Sequence, residues 1–181
     1  MKIEDGGGKG SFAKVNAKQR LDTTAATLNQ RALVSIVDGQ TFTWTTSFSA
    51  ATGNEVIYIK NDSKIKLLII DKVTVNSVNA GLFELYTATG TAGGTSITGV
   101  NTNLTSSVVA DATAYGEAAV TGLTLGDRID LARTAANGRA NMELQDILIL
   151  GLNDAIAVEY TGSTGLVDLI ITGYFETEAD V

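Results

Sequence analysis

From about residue 32 onward, apolar and β-branched side chains alternate with polar ones in short runs, the two-residue period of strands. Nine such runs stand out, at 32–37, 41–45, 55–60, 66–75, 82–86, 123–131, 144–150, 155–160 and 166–175. Gly, Asn, Asp and Ser fill the gaps between them, the residues that tolerate turn geometry. Nine short strands without a long amphipathic helix predict an all-β fold, an antiparallel β-sandwich with a jelly-roll-like order of strands. The last two runs show the period most clearly. After a turn at Asn153 and Asp154, Ile156, Val158 and Tyr160 share one face. Val167, Leu169, Ile171 and Phe175 repeat that face beyond the loop 161–165, which predicts a hairpin packed on one side.

Two runs are apolar on both faces. Along 65–75 the odd positions Ile65, Leu67, Ile69, Val73 and Val75 form one face, while Leu68 and Ile70 lie on the other. Ile147 and Ile149 oppose Leu148 and Leu150 in the same way. A strand covered on both sides lies beneath a loop or arm, or in a subunit contact. Leu68 and Ile70 are therefore expected to bind a partner. Residues 87–122 are almost entirely small and polar, and are expected to form a long excursion from the body with short strands around Ile97 and Val108.

Ahead of residue 32 the pattern is different. Residues 1–31 have few large apolar side chains, and Gly6, Gly7, Gly8 and Gly10 interrupt their first third. The stretch from Gly6 to Ser11 lacks the spacing of a phosphate-binding loop and follows no buried strand, so it reads as a linker. Six basic residues (Lys2, Lys9, Lys14, Lys18, Arg20, Arg31) stand against Glu4, Asp5 and Asp22, so this leader carries +3. Because the whole chain carries −7, the body from 32 to 181 carries −10. A positive leader on a negative body predicts an extended N-terminal arm lying on an acidic neighbour, a second copy included. Its expected contacts are the isolated anchors Phe12, Val15 and Leu21, with Lys14, Lys18 and Arg20 supplying charge.

Composition narrows the chemistry. The chain has no Cys and no His, which removes disulfides, thiolate nucleophiles, Cys-type zinc sites and histidine-based triads. No catalytic, cofactor-binding or metal-binding residue is assigned, and the expectation is a protein that is not an enzyme and carries no cofactor. A net charge of −7 opposes nucleic-acid binding by the body. The longest strongly apolar run, 147–150, is far too short for a membrane-crossing helix, and no signal-like stretch follows Met1, so no membrane partner is expected.

Several segments together resemble a group of small tailed-bacteriophage virion proteins. They are the leader pattern at 13–25, the strand end at 58–62, the polar stretch at 93–106, and the closing runs with LGLNDAIAVEY and LIITGYFE. The resemblance implies a capsid decoration or cement protein: a β-sandwich that forms small oligomers, a trimer being expected, and holds the major capsid protein or another virion protein through its terminal arm. It places the protein on the capsid exterior. It brings no catalytic motif.

Other functions make distinct demands. Glycoside hydrolysis needs facing carboxylates, and the nearest pairs along the chain, Asp127 with Asp130 and Glu143 with Asp146, have a spacing that puts them on opposite faces of a regular strand. Calcium near Asn61 and Asp62 or Asn153 and Asp154 lacks a run of alternating ligands, so these residues read as turn formers. A carbohydrate-binding module would need exposed stacking aromatics from among Trp44, Tyr58, Tyr86, Tyr115, Tyr160 and Tyr174, but Trp44 shares a strand face with Phe42 as core residues do. A tail-fibre or adhesin subunit would share the Thr/Gly/Asn-rich composition.

Overall fold

A computed structural model describes residues 34–35, 38–116 and 119–177. The leader, with Phe12, Lys14, Val15, Lys18, Arg20 and Leu21, lies outside these residues. Ten strands follow in chain order: β1 (Thr41–Ala50), β2 (Asn54–Asn61), β3 (Lys66–Ser77), β4 (Gly81–Gly93), β5 (Val100–Asn101), β6 (Ala112–Gly116), β7 (Thr121–Thr134), β8 (Gly138–Leu150), β9 (Ala155–Gly162) and β10 (Gly165–Thr177). They form two five-stranded antiparallel sheets, β5-β1-β10-β3-β8 and β6-β2-β9-β4-β7.

Side chains from both sheets close one core. Phe42, Trp44, Leu68, Ile70, Val73, Val75, Met142, Leu169, Ile171 and Phe175 come from the first sheet. Ile57, Ile59, Phe83, Leu85, Ile156, Val158 and Tyr160 come from the second. Alternation puts every second residue of each strand into this layer, the arrangement of a β-sandwich. Phe42 meets Phe175 edge to face at 5.7 Å between ring centres, and Phe83 meets Tyr160 at 5.0 Å.

Eight of the nine predicted runs coincide with strands. Of the remaining run, 32–37, only Val34 and Ser35 are among the described residues; they stand in a helical turn, with the Asp38 and Gly39 amides both donating to the Val34 carbonyl at 3.0 Å. Gly39, at φ +61°, ends that turn in the left-handed region glycine favours.

The predicted hairpin is corrected. β9 and β10 are the central strands of different sheets, so the short connection between them crosses from one sheet to the other at an end of the sandwich instead of pairing its flanks. Their inward residues are as expected, because alternation depends on burial and not on which strand is the neighbour. The outer face of β9 is covered as well: Ala155 and Ala157 are buried with Tyr58, Ala88 and Val120.

Leu68 and Ile70 are also corrected. Both have zero exposure and lie between the sheets. The cause is a bulge at Asp71, where the β3 register slips against both β10 and β8. One extra residue reverses the alternation, so Leu68 and Ile70 before the bulge, and Val73 and Val75 after it, all point inward. The residues left facing out are Ile65, Leu67 and Ile69.

The excursion at 87–122 is partly strand. The first part belongs to β4, β5 pairs with β1 at the rim of one sheet, and β6 pairs with β2 at the rim of the other. Near Ile97, Ser96 bridges to Tyr115 and the Ile97 amide donates to the Ala114 carbonyl. Val108 lies in irregular chain, not in a strand.

Candidate interaction site

Three surface features bear on binding. The first is a clasp around residues 34–41. Val34 is buried against Ile69 and Tyr174 on the outer face of the first sheet. The polar excursion reaches over to hold the chain there: the Asn103 side chain donates to the Ser35 carbonyl at 2.7 Å, and the Asn101 side chain to the Gly39 carbonyl at 2.6 Å. The Thr41 hydroxyl donates to Ser35 Oγ at 3.0 Å and is hydrogen-bonded to the Thr102 hydroxyl. Asn103 and Ser106 also receive backbone amides of the same loop, which fixes the loop's shape. The amide-rich composition of 101–106 thus serves a local structural task, fixing where and on which face the leader joins the body.

The second feature is an apolar strip on that same outer face. Met142, Leu144 and Leu150 turn inward, so Ile147 and Ile149 of the rim strand β8 face out, at 82% and 41% exposure. Ile149 lies directly across from Ile69. At the end of the sheet Ile65 (70% exposed), Leu67 and Leu152 line a depression of about 250 Å³.

The third feature is a row of three glutamates on the other sheet. Glu159 of β9 pairs directly with Glu55 of β2 on one side and Glu84 of β4 on the other. Like charges directly opposite each other on a sheet repel. Burial raises the pKa of Glu159, and the neighbouring Glu55 and Glu84 charges raise it further. Among the described residues, Glu84 is the member of the row with an ion pair, to Arg128 of β7. Sequence spacing gives no sign of this row, since its members come from three distant runs and meet only through strand pairing.

Of the carboxylates paired in the sequence, Asp130 accepts the backbone amide of Leu131, and the Asp146 side chain is outside what is described. Asn61 and Asp62 serve the fold. The buried Asn61 amide donates to the Lys66 and Leu150 carbonyls at 2.9 and 2.8 Å and accepts from the Ser63 amide. Burial pushes the Asp62 carboxyl up, but hydrogen bonds from Lys60 and Thr113 and the Lys60 charge bring it below the usual carboxylate value. Asn153, at φ +67°, forms the expected turn, and Asp154 accepts the Gly151 amide within it. Among the described residues no cluster of three or more acidic side chains has the geometry of a metal site.

The aromatic side chains are mostly inside. Trp44, Tyr58, Tyr160 and Tyr174 are at most 3% exposed, leaving Tyr86 and Tyr115 half-buried. No protein-family model, curated protein or solved structure matches the chain.

Proposed function

We propose that the protein is a non-enzymatic structural subunit of a bacteriophage particle, a decoration or cement protein on the capsid exterior. It binds the major capsid protein and further copies of itself, with a trimer as the expected unit, through residues 1–31. The observation that carries this reading is the division of charge. The leader holds +3, and the body presents Glu55, Glu159 and Glu84 in register on an outer face. A cationic neighbour relieves the repulsion within that row, and a neighbouring copy's Lys14, Lys18 and Arg20 have the matching sign.

Strand order supports the finer reading of the fold as a jelly roll. Four strands β1-β10-β3-β8 face β2-β9-β4-β7, and among these eight every connection except β4 to β7 changes sheet. Jelly rolls are common in capsids and lectins, and choosing between those uses rests on the site. Burial of four of the six Trp and Tyr side chains offered for sugar stacking weighs against the carbohydrate-binding alternative.

The test is copy number in purified particles by quantitative mass spectrometry. Hundreds of copies per particle support a capsid coat. A dozen or fewer move the protein to the tail, and none removes the virion reading.

A further inference from the structure

We infer that the apolar strip of Ile147, Ile149, Ile65 and Leu67 is the seat of residues 25–33 of the same chain. This does not depend on what the protein decorates. Val34 already lies on this face, buried at 4% exposure against Ile69 and Tyr174, and the clasp fixes it there. Ile149 is the direct cross-strand neighbour of Ile69, so the exposed strip begins one strand spacing, about 5 Å, from where Val34 sits. Ile147 is two residues further along β8, about 7 Å more. Nine residues span about 13 Å at helical rise and about 30 Å extended, so the segment reaches the strip in either conformation.

Its chemistry fits. Leu28, Ala32 and Leu33 supply apolar contact, and Glu143, exposed on the outward side of β8, offers Arg31 an opposite charge. Tethering decides between this segment and a competitor. A chain attached a few ångströms away acts at an effective concentration on the order of millimolar, which a second copy in solution does not match. Covering the strip also removes an exposed apolar rim strand, the feature most prone to pairing with other chains. The consequence for the leader is directional: residues 1–24 leave the body from the β8 side of the first sheet.

The absence of Cys makes the test clean, because any introduced pair holds the only thiols. The full chain carrying Leu28→Cys and Ile147→Cys is treated with a short bismaleimide, and a second full chain carries Ile147→Asp and Ile149→Asp. The expected results are a bridge within one chain at every protein concentration, and amide exchange of residues 25–33 at least ~10-fold faster in the Asp variant than in the parent, with strand amides unchanged. A bridge between chains would assign the strip to a second copy and overturn the proposal. No bridge, or equal exchange of residues 25–33 in parent and variant, would overturn it too.

Discussion

At the scale of single residues, buried polar groups make the sharpest predictions. Asn61 is fully buried with both ends of its amide used, tying the end of β2 to the start of β3 and the end of β8. Asn61→Ala strands two carbonyls and an amide, and is expected to lower stability by about 2–4 kcal/mol in chemical denaturation. Trp44 is the opposite case. Its ring fills the core beside Phe42, yet its Nε1 has no hydrogen-bond partner among the described residues, with Gly99 and Ala110 packed nearby. Trp44→Phe removes that unpaired donor along with some volume, so it is expected to cost less than about 1.5 kcal/mol, against ~3–5 for Trp44→Ala. Glu159 adds a pH dependence. Its raised pKa means the folded state holds the proton more tightly than the unfolded chain, so the ionised group is a penalty above the folded pKa, relieved as pH falls toward the ordinary value of 4.5. The groups facing it are Glu55, Glu84 with its partner Arg128, Tyr86 and Thr161. Glu159→Gln is expected to raise the melting temperature at about pH 7, with the gain fading near pH 4.

At the scale of elements, the strands were legible because burial on one side imposes a two-residue period whatever the neighbour. That same independence hid the pairing. The runs at 155–160 and 166–175 carry the alternation of a hairpin, and the same alternation serves two strands stacked in opposite sheets. The reversal at Asp71 was also invisible, since a bulge is read from register and the sequence there continues smoothly through Ile70, Asp71 and Lys72. That slip in register is why Leu68 and Ile70 point into the core. Deleting Asp71 is expected to turn either Leu68 and Ile70 or Val73 and Val75 out of the core, and to leave no folded protein by circular dichroism and size-exclusion chromatography. The clasp was hidden for a different reason: Asn101, Asn103 and Ser106 lie in a stretch whose composition looks featureless, and their partners at 35 and 39 are more than 60 residues away. Gly39 joins the two segments, and an added Cβ there would press on the Ser106 side chain at a positive φ. Gly39→Ala is expected to cost ~1–3 kcal/mol and loosen residues 34–41 in hydrogen exchange.

At the scale of the whole molecule, the two sheets are unequal partners. One outer face carries an apolar strip and holds Val34, and the other carries the glutamate row. This division suits the proposed role, in which the +3 leader pairs with acidic neighbours. Single exposed ion pairs contribute only ~0–1 kcal/mol, so the proposed attachment requires several acting together, as an oligomer would supply. The most direct measurement is co-sedimentation of the full chain with particles stripped of it, comparing the parent with a variant carrying Lys14→Glu, Lys18→Glu and Arg20→Glu. The parent is expected to sediment with the particles and to release as salt is raised, while the variant, folded by circular dichroism, stays in the supernatant. A charge-reversed variant that loads the particles as fully as the parent would contradict the account.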